Sequence, residues 1–164
     1  MEETKVLADL QEILTNSTEE EQEILRLAMQ AIRQRRESGR AYPSGFLGLD
    51  GRFVDERTYQ FIVPITPYML NELGIVHGGI SATLVDCTIG SLVNLSLPQG
   101  EYAVTTELKV NYIRPGKGKA LRSEATIIHR GRTLVICEGK VFDDQEQLIV
   151  HATGTFMILQ RDRD

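Results

Sequence analysis

From Gly78 to Gly100 the chain carries one charged residue, Asp86, set among Ile80, Leu84, Val85, Ile89, Leu92, Val93, Leu95 and Leu97. A helix that is apolar on nearly all sides is buried in a core or a membrane. At about 17 to 20 residues, and broken by Asp86, Asn94, several hydroxyls and Gly90, this one is a poor membrane span. It therefore reads as the central helix of a core, and the rest of the chain must be arranged to cover it. A buried, unpaired carboxylate is costly unless something satisfies it. Asp86 is then either a functional group or a packing residue that accepts hydrogen bonds from neighbouring hydroxyls.

The covering elements read as strands. Alternation and β-branched content predict strands at 58–65, 102–113, 120–128, 133–142 and 147–159. Arg130-Gly131-Arg132 suits a hairpin, as does a turn at Asp143-Asp144. One long helix plus a run of antiparallel strands is an α+β arrangement, with the sheet wrapped around the helix. Upstream, Val6, Leu10, Ile13 and Leu14 recur at helical spacing. Thr18 with Glu21 makes a capping box for a second helix, whose stripe of Ile24, Leu27, Ala28, Ala31 and Ile32 ends near Ser38-Gly39. We expect a helical extension over residues 1–40 and one α+β domain over residues 41–164.

The central helix opens on His77-Gly78-Gly79. The first amides of a helix lack internal acceptors and carry the positive end of its dipole. Glycine lets another molecule's carbonyl approach them, and an N–H aimed at a developing oxyanion is a device of acyl transfer. Gly78 is therefore a candidate oxyanion donor and Asp86 a candidate base or nucleophile; an isolated Gly pair is otherwise a tight turn. Eight residues along one helix is roughly 12 Å, whereas a reacting carbonyl must lie about 3 Å from both groups. One helix cannot serve one carbonyl with both. Two antiparallel copies can, which predicts a two-fold dimer with two composite sites.

The run Asn71-x-x-Gly74-x-x-His77-Gly78-Gly79, followed by Asp86, resembles the hotdog-fold acyl-CoA thioesterases, in the branch of the phenylacetate-pathway, arylacyl-CoA and Them2-type enzymes. The resemblance covers roughly residues 44–159, including 111–134 and the stretch His151 to Phe156. It implies a hotdog fold, with Asp86 activating water or attacking the thioester and Asn71 orienting the water or the substrate carbonyl. Gly78 would supply the oxyanion N–H, and His77 would support the loop or contact the thioester region. Thr105 falls where relatives carry a Ser or Thr that assists the carboxylate. Strict alternation, however, puts Val104, Thr106, Leu108, Val110 and Tyr112 on one face and Thr105, Glu107, Lys109 and Asn111 on the other. Unless a bulge or subunit pairing re-aims it, Thr105 is an ordinary strand residue.

Cations cluster at strand ends, with Arg114 and Lys117 around Pro115-Gly116 and Arg130 and Arg132 around Gly131. Flexible cations at such places reach phosphates, and the resemblance puts coenzyme A near these loops; singly, each also reads as a solvated turn residue. A formal charge of −5 argues against a nucleic-acid surface. No basic, apolar leader is evident in MEETK, so a cytoplasmic protein is expected. Cys87 and Cys137 have no metal-site spacing, the three histidines are dispersed, and neither a metal nor a cofactor is expected. The expected partners are an acyl-CoA substrate and further copies of the chain, as a dimer or a tetramer, without membrane or nucleic acid. A non-catalytic acyl-CoA sensor is the alternative, although acidic residues outnumber basic ones in residues 1–40, against a DNA-reading head. A hydratase or dehydratase ranks third, because Gly-Gly rather than Pro-Gly follows His77.

Overall fold

The computed structural model describes residues 2–161, with side chains for 4–161. The first residue of the expected extension and the last three of the expected domain lie outside them. The elements are α1 (Glu2–Thr15), α2 (Glu19–Ser38), α3 (Tyr42–Leu47), β1 (Gly51–Phe53), β2 (Thr58–Pro64), a 3-10 turn (Pro67–Met69), α4 (Gly78–Ser96), β3 (Glu101–Tyr112), β4 (Ala120–Arg130), β5 (Leu134–Asp143) and β6 (Leu148–Gln160). The five expected strands are present with ends moved by a residue or two. Pattern alone does not reveal α3, β1 or the 3-10 turn; each is too short to show a hydrophobic period.

The chain divides into two units. The larger holds Leu47–Ile65 and everything from Met69 onward. Its six strands pair antiparallel in the order β1-β2-β4-β5-β6-β3. Helix α4 lies against strands β2 to β6. Its fully buried face carries Leu84, Val85, Ile89 and Val93, which join Val63, Leu121, Val135, Val141 and Val150 from the sheet. Close approach is possible because Gly139 lies beneath the helix, where an added Cβ would collide with Val85 Cγ2 and stand 3.0 Å from Ile89 Cδ1. Thr88, fully buried, is satisfied by Leu84 O at 2.7 Å and Ser123 Oγ at 2.6 Å.

The expected burial of Asp86 needs correcting. The sheet packs on one side of the helix, and Asp86 stands off that side. Gly79, Asp86 and Gly90 share the opposite side, where Gly79 is exposed and Asp86 and Gly90 are half-buried. By length and composition α4 could cross a membrane, yet its Leu84–Val93 face is core.

Strand β3 departs from simple alternation. Its register against β6 shifts between Thr105 and Glu107, so Thr106 is an extra residue in a β-bulge. Before the bulge Ala103 and Thr105 share the face of Phe156. After it Leu108, Val110 and Tyr112 lie beside Gly154, Ala152 and Val150. Both sets therefore face the helix, and Val104 turns outward, 41% exposed. Strand β3 also ends the sheet, leaving one backbone edge of a twelve-residue strand unpaired among the described residues.

The smaller unit comprises the residues up to Phe46 together with Thr66–Tyr68. Thr18 and Glu21 form the expected capping box, with Glu21 N–H donating to Thr18 Oγ1 at 3.2 Å and Thr18 N–H donating to Glu21 at 2.7 Å. Gly39 ends α2 at φ 71°, a left-handed conformation suited to glycine. Leu27 and Ala31 are buried, and Gly45 packs so tightly on Ala31 that a Cβ there would collide with its backbone. The stripe on α1 remains open, with Val6, Ile13 and Leu14 about half exposed.

Candidate active site

The start of α4 is built by the loop before it. Leu70 and Val76 form an antiparallel bridge, and His77 N–H donates to Met69 O at 2.8 Å. Between them Asn71 organises the turn. Its Oδ1 accepts from Leu73 N–H at 3.0 Å and Ile75 N–H at 3.4 Å, and Gly74 adopts φ +67° to close the loop. With Oδ1 spent on two backbone donors, the amide is oriented and its Nδ2 is left as a donor, and Asn71 lines a cleft of about 370 Å³. Gly78, Ser81, Tyr112 and Arg114 line the same cleft.

His77 is the N-cap of α4. Its Nδ1 accepts from Gly79 N–H at 2.9 Å, which in the neutral ring leaves the proton on Nε2. A Cβ on Gly79 would lie 3.1 Å from that nitrogen, so the second glycine makes room for the cap. His77 O accepts from both Ile80 and Ser81 N–H. Gly78 N–H is the remaining first-turn donor, with no acceptor among the described residues. The residues named from the sequence thus divide. His77 and Gly79 finish the helix, and Gly78, on the cleft that Asn71 also lines, keeps an open N–H.

Asp86 sits two turns further on, half-buried on the uncovered side of α4. Thr105 Oγ1 donates to its Oδ1 at 2.9 Å. The bulge at Thr106 explains why strict alternation mis-aims Thr105: one extra residue returns it to the helix side. Oδ2 of Asp86 has no partner among the described residues. The adjacent Cys87 is no competing nucleophile, since burial, followed by the Asp86 charge, pushes its thiol up to about 11. Burial alone pushes Cys137 up to about 12.

The four basic candidates are not brought together. Arg114 and Lys117 line a second cleft of about 350 Å³, which shares Arg114 and Pro115 with the first. Arg130 and Arg132 lie at and just past the other end of β4, an eleven-residue strand spanning roughly 35 Å. Arg130 Nη1 donates to Ser96 O at 3.0 Å, at the C-terminal end of α4. Among the described residues no group of three His, Cys, Asp or Glu could hold a metal ion. The cleft also adds Tyr112 and Ser81, which pattern alone does not single out; in an alternating strand Tyr112 reads as one more apolar position.

Comparison with known proteins agrees with this architecture. The sequence profile of the Thioesterase superfamily matches residues 73–150, from the Asn71 loop through α4 to β6. A Bacillus halodurans protein crystallised with CoA is similar at a TM-score of 0.82 and 36% identity, over 92% of this chain and 99% of that one. The medium/long-chain acyl-CoA thioesterase YigI of Escherichia coli is 25% identical over 127 residues, 68% of this chain and 82% of that enzyme. A Saccharolobus solfataricus protein with a provisional esterase name is 33% identical over 85 residues. That match spans 52% of this chain and 56% of the relative's length. The superfamily profile and the named acyl-CoA thioesterase relative mark the chain as a thioester hydrolase. The chain belongs to the thioesterase superfamily, with its hotdog fold.

Proposed function

We propose that this protein hydrolyses an acyl- or arylacyl-CoA thioester to the free acid and coenzyme A. The observation that carries the reading is the Asp86 carboxylate, held by Thr105 at one oxygen and open at the other, on the uncovered side of α4. In the general-base route Asp86 takes a proton from water as the water oxygen bonds to the thioester carbon. The carbonyl electrons move onto oxygen, where Gly78 N–H and the Asn71 amide hold the charge. Collapse restores the carbonyl and expels the coenzyme A thiolate, which takes up the proton. In the nucleophilic route Asp86 itself bonds to the carbon, the C–S bond breaks to release the coenzyme A thiolate, and water then opens the resulting anhydride to return Asp86 and the free acid, a water proton passing to the thiolate. A single turnover in ¹⁸O-water tests the nucleophilic route: label in Asp86 identifies an anhydride opened at the Asp86 carbonyl, which the general-base route cannot give.

Within one chain Gly78 and Asp86 remain roughly 12 Å apart along the helix. We therefore place the active site between two copies, Gly78 and Asn71 of one facing Asp86 of the other. The unpaired edge of β3 supports this, since a long bare edge strand is a template for pairing with another chain. The phosphates of coenzyme A belong in the second cleft, against Arg114 and Lys117, with the thioester passing into the first. CoA in the Bacillus halodurans structure and the acyl-CoA activity named for YigI favour this substrate class.

Release of free coenzyme A across a panel of aryl, short-chain and medium-chain acyl-CoA esters tests the activity. Turnover of at least one member is expected, and binding without turnover throughout would favour the sensor reading. Inactive Asp86→Asn chains mixed and reassociated with inactive Gly78→Val chains should regain part of the activity, through hybrids with one intact site. A fully active monomer by light scattering would remove the composite site.

A further inference from the structure

Tyr112 does more than fill the end of β3. Its hydroxyl donates to Gly78 O at 3.0 Å, and its ring lies against the glycine, so a Cβ at Gly78 would stand 3.2 Å from Tyr112 Cε1. The peptide joining Gly78 to Gly79 is thereby held at both ends, its carbonyl by Tyr112 and its N–H by His77 Nδ1. The preceding peptide is held at its carbonyl by Ile80 and Ser81 N–H, while its own N–H, that of Gly78, stays open. Two glycines in sequence have the widest backbone freedom, so partners beyond the helix ladder help to hold these planes and keep the open N–H in one direction. Tyr112 is the one partner among these that another element supplies, and it is also on the cleft wall.

We propose that Tyr112 is a positioning residue that fixes the Gly78–Gly79 peptide from the edge strand and so keeps the Gly78 N–H aimed into the cleft. The proposal rests on the thioesterase reading for its catalytic sense, but the clamp itself is a property of the free protein. It also couples two features met separately: the bulge at Thr106 turns Thr105 toward Asp86 and puts Tyr112 on the same helix-facing side, so one irregularity serves both. Preorganised donors do most when they need not reorient during reaction, and a loosened one loses turnover rather than binding.

The experiment compares wild type with Tyr112→Phe, which keeps the ring and removes the hydroxyl. Without substrate, the Gly79 amide resonance should shift and its hydrogen exchange should speed up, while distant core amides stay in place. With the preferred acyl-CoA, kcat should fall about tenfold, with KM within about twofold, as for loss of an orienting contact. Tyr112→Ala, which also frees the ring side, should fall further in kcat. An unchanged Gly79 resonance in Tyr112→Phe overturns the clamp. A shifted resonance with unchanged kcat overturns its catalytic role, and a rise in KM at constant kcat makes Tyr112 a substrate contact instead. Should wild type hydrolyse no member of the panel, the thioesterase reading and the catalytic role fall together, whereas a shifted Gly79 resonance would still uphold the clamp.

Discussion

The two ends of α4 are finished in opposite ways. At the C-terminal end polar groups are taken up. Arg130 donates to Ser96 O, Leu97 N–H to Asn94 O, and the Asn94 amide makes two hydrogen bonds with the Ala103 backbone. At the N-terminal end His77, Asn71 and Tyr112 fix the surrounding peptides and leave Gly78 N–H without an acceptor among the described residues. A helix end left open by neglect would be loose; this one is rigid around a single unpaired donor. On the proposed function, the difference separates a terminus built to stop from one built to bind, and it is why we place the reaction at the Gly78 end.

The strongest test removes the group that the open end needs opposite it. Asp86→Asn should lower kcat by roughly 10²–10⁴-fold, the usual worth of a general base, and by more in the nucleophilic route. Substrate affinity and the thermal midpoint should change little, because the side chains are nearly isosteric and the Thr105 hydroxyl can still donate to the amide oxygen. Wild-type turnover in this variant would leave the contrast between the ends without catalytic meaning. Asn71→Ala should cost about a hundredfold in kcat if Nδ2 is an oxyanion or water-orienting donor. Its Oδ1 also holds the Leu73 and Ile75 amides, so the thermal midpoint must be measured beside the kinetics. An effect confined to KM would return Asn71 to the loop.

Between the ends, the middle of α4 is set by packing. Gly139→Ala would drive a methyl into Val85 Cγ2, and overpacking of this kind costs about 1–3 kcal/mol. A lowered thermal midpoint is expected, and an unchanged one would show that the helix can ride up on the sheet. Any accompanying fall in kcat would show that the site depends on the height of α4 above β5.

The sequence carries the contrast only in part. A run with one charge in it marks a central helix, and the strands around it announce themselves by alternation. The capping box of Thr18 and Glu21 and the stop at Gly39 are local chemistry that a few adjacent residues state completely. Thr105 cannot be placed from pattern, because a bulge is an event of pairing: which residue is extra depends on β6, some fifty residues away. Asp86 reads as buried because a linear pattern does not say that the sheet covers a single side of its helix. Short elements such as β1 and α3 have too few residues to show a period.

The smallest expected effect belongs to the closed end. By charge alone Arg130 and Arg132 are candidates for coenzyme A, like Arg114 and Lys117. Arg130 instead meets the last turn of α4, where a cation offsets the negative end of the helix dipole. Arg130→Ala should therefore cost about 0.3–1 kcal/mol of stability, a loss that salt reduces, and leave KM for acyl-CoA unchanged. Arg114→Glu, by contrast, should raise KM with little change in kcat, since Arg114 lies where the two clefts meet. Denaturant titrations and steady-state kinetics on the pair decide it. If Arg130→Ala raises KM as Arg114→Glu does, the closed end also holds substrate. The two-fold arrangement would then have to bring the Arg130 end of one copy to the cleft of the other.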